Sequence, residues 1–288
     1  MASRSKRPSP RSERVKAGII GGTGKMGRLF AEVFRRAGYE VMVSGRSTGT
    51  TSHNIAKECD IIIVSVPIRE TVQVIEKIAP LLKKSQLICD LTSLKAGPVA
   101  AMLKSKAEVI GLHPMFGPTV NSLRQQTIIA CPVRAKPAST KALLAVFRAE
   151  GAVCTITTPD EHDRMMAVVQ GLTHYVTLCM ADTIRRLGID IGVTRAFMSP
   201  VYAIELSLVG RLLSQDPSLY GSILQENPFV PGMLAACKDA GSELTEVIAS
   251  GDPDRFNAFF SRNTRHFGDY CAEGMVTTDE MIERLVNR

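Results

Sequence analysis

Gly22-Thr23-Gly24-Lys25-Met26-Gly27 has the spacing G-x-G-x-x-G. In that pattern the first glycine permits a tight turn, the second lets the backbone approach a pyrophosphate, and the third lets a helix pack closely on a strand. An apolar run at 15–20 precedes the pattern, and helical spacing (Met26, Leu29, Phe30, Val33, Phe34) carries through 25–37 after it. This context points to a dinucleotide site. Thr23, Lys25 and Met26 sit where a helix N-terminus offers unpaired N–H groups and a positive dipole end to phosphate. The strand expected at 40–44 ends in Ser44-Gly45-Arg46-Ser47-Thr48. Sites for NAD place Asp or Glu there for the ribose 2′-hydroxyl; this chain offers Arg46 and Ser47, which suit the 2′-phosphate of NADP. NAD stays open as the alternative. Ser65, Val66 and Pro67 close the next strand, where the backbone can meet a nicotinamide ribose.

A reacting partner must emerge on the same edge. Ser93 and Lys95 follow the strand at 86–90, and His113 follows the strand at 108–112. All three can converge on a nicotinamide, and an imidazole there has the right basicity to take a proton from an alcohol as hydride leaves. The second half of the chain supplies His162, Gln170, His174 and Arg211. Gln170 and His174 are spaced i, i+4 on one helix face. His162, twelve residues before His174, falls on a similar side. Arg211 stands among apolar neighbours and must snorkel or find an anion, such as a substrate carboxylate.

These residues need a scaffold. Strand signals at 15–20, 40–44, 60–66, 86–90, 108–112, 127–131 and 152–157 alternate with helical ones at 25–37, 69–82 and 137–150. This is the pattern of an α/β domain, a Rossmann-type doubly wound parallel sheet, at 17–158. From Pro159 helical periodicity takes over, at 159–187, 199–215, 228–249 and 253–286. An all-helical substrate and dimerisation domain is therefore expected at 159–288. Met165, Met166, Val168, Val169, Leu172, Leu178 and Met180 are candidates for a dimer core.

The chain has 288 residues and a net charge of +7. Six cations against one carboxylate in residues 1–16 hold most of that excess, and the segment, rich in Ser and Pro, reads as an unstructured basic leader. The remaining charge is close to balanced and Trp is absent, so a nucleic-acid surface is not expected. No apolar run is long enough to span a membrane, and the basic leader lacks the apolar centre of a signal peptide. The seven cysteines show no C-x-x-C spacing, which argues for reduced, buried thiols in a cytoplasmic protein and against a bound metal.

GGTGKMG at 21–27, DLTSLK at 90–95, GLHPMFGP at 111–118, SPVYAIELSLVGRLLSQDPSLY at 199–220 and HFGDY at 266–270 resemble the prephenate dehydrogenases, oxidoreductases of tyrosine biosynthesis. The resemblance runs over about 17–285 and is greatest to the dehydrogenase portion of bifunctional mutase–dehydrogenases. It implies NAD(P)-dependent oxidative decarboxylation of prephenate to 4-hydroxyphenylpyruvate by a homodimer. His113 would accept the proton of the substrate 4-hydroxyl, and Ser93 would orient His113 or bond that hydroxyl. Arg211 would hold the ring carboxylate, with Lys95, His162, Gln170 and His174 lining the pocket. Ala203 departs from relatives that carry a second arginine at that position. Neither a mutase domain before residue 17 nor a regulatory domain after 288 is expected. Three other readings stay open: an NADP-linked arogenate dehydrogenase, an NADP-linked β-hydroxyacid or imine reductase with a helical dimer domain, and a nucleotide-sensing module without turnover.

Overall fold

The computed structural model describes residues 15–287; the basic leader, but for Val15 and Lys16, lies outside them. The chain divides into two compact units, Met1–Met165 and Met166–Arg288.

In the first unit the elements run β1 (Lys16–Ile20), α1 (Lys25–Arg36), β2 (Glu40–Ser44), α2 (Ser52–Glu58), β3 (Ile61–Val64), α3 (Ile68–Ile78), β4 (Leu87–Asp90), α4 (Ala96–Leu103), β5 (Glu108–Pro114), β6 (Thr127–Arg134), α5 (Pro137–Ala149), β7 (Val153–Ile156) and α6 (Pro159–Met166). The strands form one sheet in the order β2-β1-β3-β4-β5-β6-β7. Ile61, Ile62, Ile63 and Val64 are all buried because helices cover both faces of β3. Alternate strand residues feed two cores. Ile19, Ile63 and Cys89 pack with Phe30 and Phe34 of α1 and Phe147 of α5. Ile62, Val64 and Ile88 pack with Ile55 of α2, Ile75 of α3 and Val99 of α4. Each such buried side chain contributes about 1.5–3 kcal/mol over its exposed state.

The doubly wound sheet expected from sequence is present, with one departure. β2, β1, β3, β4 and β5 are mutually parallel, but β6 pairs antiparallel with β5, and β7 runs parallel to β6. A parallel return needs a crossover long enough to hold a helix, and the β5–β6 connection contains none. The register row Ser44, Ile20, Val64, Asp90, Gly111 crosses the five parallel strands. Their carboxyl ends therefore lie along one edge.

One further sequence expectation is corrected. The change to helix at Pro159 is present, and α6 clusters with the first unit, its Asp163 side chain accepting the backbone N–H groups of Lys95 and Ala96 at 2.8 Å each. The cysteines are free, and Cys59, Cys89 and Cys131 are buried as expected; Cys179 and Cys271, however, are exposed on helices.

The second unit continues from α6 through a π-helical stretch, Ala167–Leu172, into α7 (Thr173–Arg186). Then come α8 (Ile191–Thr194), a short 3-10 turn, α9 (Pro200–Leu213), α10 (Pro217–Glu226), α11 (Val230–Ser250), α12 (Pro253–Phe267) and α13 (Tyr270–Val286). Gly268 splits the single helix expected at 253–286. Much of this unit's apolar surface is uncovered in one chain: Phe197 is 83% exposed, Phe260 63% and Met275 65%, with Val168 and Val169 near half. None of the helices among the described residues is long and apolar enough to cross a membrane.

Candidate active site

The glycine turn joins β1 to α1, and its glycines divide their work differently from the sequence expectation. Gly21, not Gly22, takes the left-handed conformation, with φ 81°. Gly22 is needed for space, since an added Cβ would lie 2.6 Å from Val43 Cγ1. At Gly27 a Cβ would meet the Gly21 carbonyl oxygen at 2.5 Å, so only glycine lets α1 begin this close to β1. Gly24 is exposed and caps α1 with no side-chain hydrogen bond, which leaves the helix's first N–H groups to a ligand.

A crevice of ≈ 730 Å³ opens beside this turn, lined in part by Thr23, Gly24, Arg46, Ser47, Ser65, Val66 and Pro67. Seven of the eleven residues expected to meet a cofactor are thus brought together. Lys25 is exposed next to the turn, whereas Met26 packs on the core below α1. The uncapped helix end, the close glycine turn and the hydroxyl-rich wall fit a dinucleotide. Arg46 is exposed at the end of β2, and the crevice's carboxylate, Glu70, stands at the start of α3 instead.

Two facing histidines stand on β5 and α6. His113 is 2% exposed near the end of β5. Its Nδ1 lies 2.8 Å from Nε2 of His162, and His162 Nδ1 lies 2.7 Å from Asp163 Oδ1. The Asp163 carboxylate only accepts, so His162 donates from Nδ1 and its Nε2 accepts. His113 then donates from Nδ1, and Nε2 is its basic nitrogen. Burial, followed by the nearby His162 and then Lys95, holds the His113 imidazole well below its ordinary pKa. An imidazole held this way could accept a proton at Nε2, and Asp163 would stabilise the resulting charge through His162.

His162 therefore supports His113 from behind, a role the sequence reading missed. Asp163 was missed altogether, although the adjacent His-Asp pair was visible. The partner of His113 Nδ1 is His162 rather than Ser93, which is half-buried in the loop after β4. Lys95 is corrected most sharply. It was expected to line a pocket, yet it is 0% exposed and ion-paired to the equally enclosed Asp90. Removing one partner of such a pair costs about 3–5 kcal/mol.

The second unit carries the other candidates. Gln170 lies in the π-helical stretch, whose Gly171 packs against Val230 and Met233 of α11. This stretch breaks the α-helical phase between His162 and His174, so the expected shared side does not follow from spacing. His174 stands edge-on to Tyr220, ring centroids 4.8 Å apart, and burial lowers its pKa. Arg211 is exposed in the last turn of α9, close enough to Tyr220 to oppose the rise that burial imposes on the phenol.

Residues 45–156 match the family model described as prephenate dehydrogenase, nucleotide-binding domain, and 158–262 match prephenate dehydrogenase, dimerization domain. The chain is 34% identical over 289 aligned positions to a probable arogenate/prephenate dehydrogenase of Methanocaldococcus jannaschii, covering 93% of this chain and 65% of that relative. It is 32% identical to the T-protein of Haemophilus influenzae, covering 92% of this chain and 71% of the relative. The crystal structure of Synechocystis arogenate dehydrogenase shares its fold, with TM-score 0.71, 18% identity and 90% of this chain and all of that one covered. So does Aquifex aeolicus prephenate dehydrogenase in complex with hydroxyphenyl propionate and NAD+, at TM-score 0.70 and 19% identity, covering 90% and 99%. The chain belongs to the prephenate dehydrogenase family.

Proposed function

We propose that the protein oxidises and decarboxylates prephenate to 4-hydroxyphenylpyruvate, with NADP as the favoured acceptor, as a homodimer. The observation that carries this reading is the relay from Asp163 through His162 to His113, placed on the carboxyl edge of a sheet with a dinucleotide-type turn. A nicotinamide bound by the glycine turn supplies a two-electron acceptor for the hydride of the substrate's secondary alcohol. Gly24 and the N-terminus of α1 would hold its pyrophosphate, and Arg46 with Ser47 a 2′-phosphate.

His113 Nε2 receives the hydroxyl proton as the alcohol becomes a ketone. The ketone lies across the ring from the carbon bearing carboxylate, so it withdraws the electron pair released when carbon dioxide leaves. Aromatisation drives that loss. The resulting phenolate recovers the proton from His113, so the relay ends as it began. Arg211 would pair with the ring carboxylate, with Gln170 and His174 contributing to the same pocket.

The test is to supply prephenate and arogenate separately with NADP and with NAD, and to identify the aromatic product. Formation of 4-hydroxyphenylpyruvate and carbon dioxide, faster with NADP, is expected. Turnover of arogenate alone would move the substrate class to the amino analogue. Cofactor binding without turnover of either would overturn the reading.

A further inference from the structure

We infer that Lys95 is a positioning residue that holds both histidines of the relay, one from each of its ends. Its ammonium Nζ donates to the carbonyl oxygen of Leu112 at 2.7 Å, and Leu112 is the residue before His113. Its backbone N–H donates to Asp163 Oδ1 at 2.8 Å, the same oxygen that takes the His162 Nδ1–H. The stem between them crosses β5 at Gly111, where an added Cβ would lie 3.0 Å from Lys95 Cδ. One side chain thus ties the end of β5 to the start of α4, and its main chain ties that point to α6.

The ammonium is also a fixed positive charge in the enclosure that holds His113. The groups around that enclosure are Asp90 and Cys89 from β4, Cys131 from β6, His162 and Asp163 from α6, and Lys95 itself. Asp90 Oδ2 accepts from Lys95 and from Thr92, while Asp90 Oδ1 is buried with no hydrogen-bond partner. The Asp90 carboxylate is therefore engaged by the Lys95 ammonium, and the pair is enclosed on all sides. Lys95 thus adds, after burial and His162, to the effects that hold His113 below its ordinary pKa.

This inference rests on the proposed reaction only for its kinetic consequences. Lys95→Met alone strands Asp90, so two paired variants are used. Lys95→Gln with Asp90→Asn removes both charges and keeps hydrogen-bonding groups. Lys95→Met with Asp90→Asn also removes the tie to Leu112. In the first, His113 followed by imidazole NMR titrates at higher pH than in the wild type, and the acid limb of kcat/KM moves up with it. In the second, plateau kcat also falls by on the order of a hundred-fold, the cost of a small misplacement of a reacting group, while NADP affinity holds. In the wild type, the Lys95 ammonium gives a slowly exchanging nitrogen–proton signal with contacts to Leu112. An unchanged His113 titration in both folded variants, or a rapidly exchanging wild-type ammonium, overturns the inference. The NMR measurements need no substrate, so an inactive wild type would sink the proposed reaction without touching them.

Discussion

His162 Nε2 lies 2.8 Å from His113 Nδ1, although 49 residues separate the two along the chain. The contact turns a lone imidazole into the outer member of a three-residue relay, because Asp163 fixes which nitrogen of His162 can accept. Asp163→Asn leaves a side chain that can donate as well as accept and so unsettles that order. We expect kcat to fall by roughly 10²-fold or more, the scale seen when a base loses its orienting carboxylate. NADP affinity should stay near wild type. Steady-state kinetics alongside a fluorescence titration of cofactor would check it.

Activity should persist well into mild acid. His113 is held below 6.5 by burial first and by His162 and Lys95 second, so the loss of kcat/KM comes at lower pH than an ordinary histidine would give. The linked effect on stability has a definite sign. The unfolded chain binds a proton at His113 below about 6.5 and the folded chain does not. Its contribution is thus complete above 6.5 and erodes as pH falls from there toward the lower folded value. Urea melts at descending pH should show this loss, and His113→Asn should remove part of it.

Much of this scaffold was legible in the chain. The β-branched run around Ile61–Val64 and the glycine turn at 21–27 announced a buried parallel strand and a dinucleotide crevice. The helix α2 was passed over because it has only seven residues, though Thr51 and Asn54 form a reciprocal cap that the sequence displays. The antiparallel β6 was missed by extending an alternation across a connection that carries no helix. Lys95 was misplaced for a deeper reason. A lysine reads as a surface or ligand group, and only the fold brings Asp90 and the Leu112 carbonyl to its ammonium.

Arg46 should set cofactor choice. It stands at the end of β2, where no carboxylate is present to favour a ribose hydroxyl. Arg46→Ala should raise the Kd for NADP by roughly ten- to a hundred-fold, the worth of one charge-assisted pair, and leave that for NAD nearly unchanged. Equal loss for both cofactors would remove Arg46 from the 2′-position. Parallel titrations with the two nucleotides decide it.

Arg211 should act on binding more than on chemistry. Its proposed partner, a substrate carboxylate, is present both before and during the oxidation. Arg211→Ala should therefore raise KM by about ten- to a hundred-fold with a smaller change in kcat. Arg211→Lys should recover only part of the loss, because an ammonium cannot grip a carboxylate at two points. Initial rates over a range of prephenate concentrations separate the two parameters.

The most direct measurement is a single-turnover reaction with prephenate and NADP, comparing wild type with His113→Asn and reading the near-ultraviolet absorbance of reduced nicotinamide. With His113 as the proton acceptor, the variant binds both ligands and its hydride-transfer rate drops by about 10²–10⁴-fold. A variant that reduces NADP as fast as the wild type would show that the proton leaves by another route.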